Sequence, residues 1–217
     1  MLESTLAKEP DLNIKAVVFD YGQVISLPQD LTVIDRIADM AGVERAKFSS
    51  ALWSSRSEYD RGIINAKEYY DKIFSKLSVE VDAGDNLIDK MIEMDLESWK
   101  EINDETVALM EDVKKAGYIL GILSNMPHDF LAWARKDLPV FSLPHVGLFS
   151  CEVNLVKPEK AIYQKLLSML GVKGEEVVFF DDMVENVKSA GALGINALLW
   201  NGPEDARRKL ISLGVAV

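Results

Sequence analysis

The sequence predicts an α/β protein, a doubly wound parallel sheet with a helical bundle inserted after its first strand. Three observations predict it. Four short runs, Ile14–Phe19, Tyr118–Leu123, Val177–Phe180 and Ile195–Trp200, are almost wholly apolar and rich in β-branched and aromatic residues. Runs of that length without polar alternation read as strands buried on both faces, the pattern of a parallel sheet. Helical periodicity separates the later runs, whereas the stretch from Pro28 to Asn103 holds no strand-like run.

The elements follow in order. After Ile14–Phe19, apolar residues recur at three and four through the insert: Leu31, Ile34, Ile37, Ala38 and Ala41, then Phe48 and Leu52. The pattern continues with Tyr69, Ile73 and Leu77, then Leu87, Met91 and Met94 or Asp95. These are amphipathic helices. Asp104 is placed to cap a helix whose stripe is Val107, Met110 and Val113 and which stops near Gly117. His145–Phe149 is a weaker strand. Pro158 opens a helix with Ile162, Leu166, Met169 and Leu170 inward and Gly171 at its end. A third helix runs from about Met183 to Leu193, and the last holds Arg207 to Leu213. Residues 1–27 and 104–217 thus read as the α/β core, and 28–103 as the inserted bundle.

Composition bounds the function. The chain has 217 residues, 48% of them hydrophobic, enough for a full core without a metal or disulfide staple. A net charge of −11 with scattered Lys and Arg excludes a dedicated nucleic-acid binder and suits an anionic membrane poorly. The single Cys151 excludes an internal disulfide and a Cys-rich zinc site, and reads as a small buried residue. With only His128 and His145, a three-histidine metal site is excluded. No apolar run approaches the roughly 18 residues of a membrane span. The opening MLESTLAKEPDLN has no signal-peptide core, so the expectation is a soluble cytoplasmic protein, monomer or homodimer. The first dozen residues read as a loose extension, and Leu210–Val217 as a segment packing on the domain or a partner.

Open α/β sheets bind ligands at the carboxyl ends of their strands. The first run ends in Asp20, the second in Ser124-Asn125 and the third in Asp181-Asp182, while Lys157 precedes Pro158 at a helix start. Turn or capping roles explain any one of them. Four in register point to a site.

These segments, Val17-Val-Phe-Asp20-Tyr-Gly-Gln-Val24, Leu123-Ser124-Asn125, Lys157-Pro158 and Phe180-Asp181-Asp182-Met-Val-Glu-Asn186, resemble the four motifs of the haloacid dehalogenase superfamily. The inserted bundle resembles that superfamily's α-helical cap, over a Rossmann-like core. Within the superfamily the motifs look most like sugar-phosphate phosphatases of the glucose-1-phosphate type. The resemblance implies a phosphatase acting on a small phosphorylated metabolite, a sugar phosphate by preference. It implies Asp20 as the nucleophile, forming an aspartyl-phosphate. It implies Mg²⁺ on the Asp20 carboxylate, the Gly22 carbonyl and Asp182, with Asp181 a further ligand or supporting partner. Ser124 then donates to a phosphate oxygen, Asn125 orients its loop on the substrate side, Lys157 offsets charge, and Asn186 holds the Asp181-Asp182 loop.

One position departs from the commonest pattern. Gly22 stands where many of these phosphatases carry an aspartate acting as general acid and base, help worth about 10²–10⁴-fold. An easily departing leaving group, such as an anomeric or acyl phosphate, is the preferred answer. The others are a substitute donor (His128 or an acid from the cap) or weak turnover. Substrate choice is assigned to Glu58–Gly62, where Tyr59 and Arg61 are the residues expected to touch a sugar. Trp53 and Trp99 read as core packing. The rival readings are a 2-haloacid dehalogenase, whose fourth motif lacks paired acids, and a non-catalytic phosphate-binding protein.

Overall fold

The computed structural model describes residues 13–80 and 86–217, so the predicted loose extension lies outside the described residues. Strand β1 is Ala16–Phe19, followed by an irregular turn at Tyr21–Ile25. The inserted helices are α1 Leu31–Met40, α2 Arg45–Ser54, α3 Arg56–Asp60, α4 Ala66–Leu77 and α5 Leu87–Glu97. Then come α6 Asp104–Lys115, β2 Ile119–Ser124, α7 His128–Asp137, β3 Val146–Phe149 and α8 Ser150–Val153. The chain continues through α9 Lys160–Leu170, β4 Val177–Asp181, α10 Val184–Gly191, β5 Asn196–Leu199 and α11 Pro203–Ser212. All five predicted strands form, each within a residue or two of its apolar run.

The sheet is fully parallel, in the order β3-β2-β1-β4-β5. Side chains alternate between its faces because a strand has a period of two. Val17, Phe19, Leu120, Ile122, Val178 and Phe180 pack in one cluster with Leu109 and Met110 of α6, Phe130 of α7 and Leu210 of α11. Ala16, Val18, Val177 and Phe179 pack in the other, with Ile162 and Leu166 of α9 and Ala190 of α10. Both faces are covered, so polar alternation is absent, as the sequence pattern implies. The chain winds outward from β1 to β2 and β3, then returns to β4 and β5 on the other side. The switch point therefore lies between the carboxyl ends of β1 and β4.

Helices α1–α5 have their own apolar cluster, including Ile34, Ile37, Phe48, Leu52, Tyr69, Ile73 and Met91. The chain leaves for this bundle and returns from it side by side. Ser26 and Ile102 form an antiparallel bridge, and Leu27 N–H donates to the Glu101 carbonyl at 2.8 Å. A capping box of Asn65 and Glu68 starts α4.

Local differences have local causes. Asn103 rather than Asp104 caps α6, its side chain accepting from Thr106 N–H. Pro158 stands two residues before α9. Helix α11 begins at Pro203, not Arg207, because a proline at its first position and Glu204 and Asp205 in its first turn favour that start. Helix α7 is not among the predicted elements: Phe130–Ala134 is an unbroken apolar run of five residues, without the spacing of three and four that marks an amphipathic helix. The C-terminal segment packs on the core, with Leu210 and Val215 buried.

Phe180 is fully buried, stacked on Phe19 at 5.5 Å and edge-on to Trp200 at 5.8 Å. Phe180→Ala is expected to cost about 3–5 kcal/mol of stability, measured by urea denaturation.

Candidate active site

The switch point carries the charged groups. Phe19 pairs with Ile122 on one side and Phe180 on the other, so Asp20 and Asp181 emerge side by side at one sheet edge. Between them sits the ammonium of Lys157, 2.7 Å from Asp20 Oδ1 and 2.7 Å from Asp181 Oδ2. The lysine side chain is 2% exposed and that of Asp181 is fully buried. Asp181 is also saturated, its Oδ1 accepting from Met183 N–H at 2.8 Å and Asn186 Nδ2 at 2.9 Å. Asp20 is used on one side only. Its Oδ1 accepts from Lys157 and from Tyr21 N–H, while Oδ2 has no hydrogen bond to the described residues.

The electrostatics follow from burial. Burial pushes the Asp20 carboxyl up to about 7; Lys157 pulls it down and Asp181 adds to the rise. Lys157 itself loses affinity for its proton through burial, but Asp20 and Asp181 more than reverse that, and it stays charged. Asp182, partly buried, is raised by burial and then by Asp181. Oxygens of Asp20, Asp181 and Asp182 lie within 4.8 Å of one another. Three carboxylates against one lysine leave excess negative charge, and hard oxygen donors of this kind suit Mg²⁺. Because both Asp181 oxygens are occupied, Asp20 and Asp182 are the better-placed ligands, and Asp181 fits a supporting place.

The loops are held by backbone chemistry. Asn125 Nδ2 donates to the Lys157 carbonyl at 3.0 Å, and its Oδ1 accepts from Lys157 N–H at 2.8 Å. The asparagine thus ties the end of β2 to the lysine loop. After Asp20 the chain turns sharply: Gln23 adopts a left-handed φ of 59° and its Nε2 donates to Asp182 Oδ2 at 2.7 Å. A Cβ on Gly22 would lie 3.6 Å from the Trp99 ring, so that position abuts the cap.

A cavity of about 240 Å³ opens over this edge. Its floor includes Asp20, Gly22, Ser124, Asn125, Lys157 and Asp182. The inserted helices supply Trp53, Arg56, Asp60 and Trp99. The structure therefore brings together the strand-end residues chosen from sequence.

It does not bring the two chosen cap residues into that wall. The Tyr59 hydroxyl donates to Asp129. The Arg61 guanidinium grips both carboxylate oxygens of Glu159 and the Asn154 carbonyl. Both residues tie the insert to the core. Gly62 joins that seam: with φ +72°, it leaves no room for a Cβ, which would fall 2.7 Å from His128 Nε2 and 2.8 Å from the Cys151 carbonyl. His128 thus starts α7 against the insert rather than lining the cavity. Trp53 lines the cavity instead of a core and is 47% exposed, whereas Trp99, which it meets edge-on at 6.4 Å, both packs on the core and lines the cavity. Sequence reasoning included Asp60 in the Glu58–Gly62 segment but passed over Arg56. The spacing of four between Arg56 and Asp60 puts the two on one face of α3, a signal present in the sequence. Cys151 is buried and its thiol is pushed up to about 11 by burial, consistent with an inert residue.

Fold and site together define a class: an α/β enzyme with a half-free carboxylate at the switch point, a buried lysine beside it and an inserted helical bundle above it. The chain belongs to the haloacid dehalogenase-like hydrolase family, whose model matches residues 14–194. It is 24% identical over 212 residues to Phosphatase MT3486 of Mycobacterium tuberculosis, covering 94% of this chain and 96% of that one. It is 27% identical over 201 residues to (S)-2-haloacid dehalogenase 4A of Burkholderia cepacia, covering 87% and 84%. A HAD family enzyme of Bacteroides thetaiotaomicron shares the fold with a TM-score of 0.74 at 21% identity, over 91% of this chain and 98% of that one. That enzyme has also been solved with magnesium and inorganic phosphate. Among the described residues, no helix is long and apolar enough to cross a membrane.

Replacing Lys157 by Met strands two buried carboxylates, and is expected to cost about 3–5 kcal/mol. Asp181→Asn added to Lys157→Met should recover part of that loss. Urea denaturation of the single and double variants checks both.

Proposed function

We propose that this hydrolase is a Mg²⁺-dependent phosphomonoesterase for a small phosphorylated metabolite, a sugar phosphate by preference, with residues 28–103 as its cap. One observation carries the reading: Asp20 has one oxygen pinned and one without a hydrogen bond among the described residues, in a cavity that Lys157 and Asp182 also line.

The chemistry assigned to the residues follows. Lys157 and Tyr21 N–H hold Asp20 Oδ1, which directs the other oxygen at an incoming phosphorus. That oxygen forms the new bond to phosphorus as the bond to the leaving-group oxygen breaks, giving an aspartyl-phosphate. Water then attacks phosphorus and restores the carboxylate. Ser124 is placed to donate to a phosphate oxygen, and Lys157 offsets charge. The Asp20 and Asp182 carboxylates, with the Gly22 carbonyl, would hold Mg²⁺. When bound, the metal supplies positive charge that keeps Asp20 ionised and draws the phosphate dianion in. Gly22 provides no proton for the leaving group, so the reading favours a group that departs unprotonated, such as an anomeric or acyl phosphate.

The dehalogenase alternative fits the site less well. A haloacid brings a carboxylate of its own, and this floor presents Asp20 and Asp182 with its lysine already shared between two aspartates.

Phosphate release from a panel of sugar phosphates tests the proposal. Release should require Mg²⁺, stop in EDTA and fall by about 10⁴-fold or more in Asp20→Asn, the scale of removing a nucleophile. Anomeric phosphates should react faster than primary ones. Halide release from 2-haloacids without phosphatase activity would overturn it.

A further inference from the structure

The cap presents a donor and an acceptor to the cavity as one fixed unit. Arg56 and Asp60 open and close the single turn of α3, and Arg56 Nε donates to Asp60 Oδ1 at 2.7 Å. Their side chains are 15% and 12% exposed, and both line the cavity above Asp20. The guanidinium lies 5.4 Å from the Tyr59 ring centre and 5.9 Å from that of Trp53, so its plane is held. The turn is anchored from below, where the buried Ser150 hydroxyl donates to the Asp60 carbonyl.

Each partner keeps capacity unused. Arg56 Nε donates to Asp60 Oδ1, and the Tyr69 hydroxyl and the buried Asp95 carboxylate also act on the guanidinium. Asp60 Oδ2 has no hydrogen bond among the described residues, and Arg56 and Asp60 both line the cavity. A guanidinium nitrogen only donates and a carboxylate oxygen only accepts, whereas a hydroxyl does both.

Resting on the phosphatase reading, we infer that Arg56 and Asp60 select a leaving group bearing two neighbouring hydroxyls, one accepting from Arg56 and the other donating to Asp60. A second anion on the substrate gains little, because Asp60 cancels the charge of Arg56 and the floor is already acidic. An apolar group leaves the remaining hydrogen-bonding capacity of the pair desolvated and unmet, which is costly. Trp53 and Trp99 offer apolar faces for the C–H side of such a group.

The test compares kcat/KM for three small substrates: glycerol 3-phosphate, which has the neighbouring hydroxyls, propyl phosphate, which lacks them, and 3-phosphoglycerate, in which a carboxylate replaces one of the two hydroxyls. p-Nitrophenyl phosphate serves as the control for phosphatase activity. The wild type should favour glycerol 3-phosphate over propyl phosphate by about 10–100-fold, the range of a hydrogen bond to a charged group. Arg56→Lys and Asp60→Asn should each shrink that ratio by about tenfold, chiefly through KM. Thermal melting checks that each variant is folded; if one is not, the other and the wild-type ratio decide. A wild-type ratio near one, a ratio that survives both substitutions, or a preference for 3-phosphoglycerate would overturn the inference while leaving the phosphatase reading standing. Absence of turnover on all four compounds and on the anomeric sugar phosphates of the panel would instead remove the phosphatase reading, and this inference with it.

Discussion

A single buried ammonium organises the catalytic edge. Lys157 bridges two aspartates from adjacent strands, and burial alone would drive Asp20 and Lys157 toward their neutral forms. Proximity reverses this for the lysine, so one cation holds two carboxylates that would otherwise repel. The arrangement also sorts them. Asp181 receives three donors and is fully occupied, whereas Asp20 receives two on one oxygen and keeps the other. Two chemically identical side chains are thereby given different tasks by their surroundings. The asparagines complete the frame, Asn186 from α10 and Asn125 from the end of β2.

The strands and the floor of the site were legible because one physical pattern encodes both. A strand buried on two faces must be apolar throughout, so a charged residue ending such a run marks the sheet edge where ligands bind. Asp20, Ser124 and Asp181-Asp182 are found by that rule, and the structure brings them together with Lys157. The cap was less legible. Its helices follow from periodicity, but which helical residues face the cavity depends on how the bundle docks. Tyr59 and Arg61 were chosen for their chemistry, yet docking spends them on Asp129, Glu159 and Asn154. Arg56, one turn earlier, lies on the face toward Asp20. Trp53 misled for a related reason: large aromatics usually fill cores, and this one walls a cavity, whereas Trp99 does both.

The insert is attached to the core on two sides. On one side the two connecting segments run antiparallel at Ser26 and Ile102. On the other, Tyr59, Asp60 and Arg61 make polar contacts to Asp129, Ser150 and Glu159. The second seam is buried at Tyr59, Asp60 and Ser150 and more exposed only at Arg61 and Glu159, so its inner hydrogen bonds are costly to leave unmade.

The central claim is that the Asp20 carboxylate attacks phosphorus. Rapid acid quench during turnover of a phosphate ester in ¹⁸O-water, followed by mass spectrometry of the peptide containing Asp20 and of the phosphate released, tests it most directly. The account predicts a phosphoryl group on Asp20 in the quenched enzyme, with ¹⁸O appearing in phosphate and not in the aspartate. Turnover with no phosphoryl group on Asp20, or with ¹⁸O entering the Asp20 carboxylate, would contradict it.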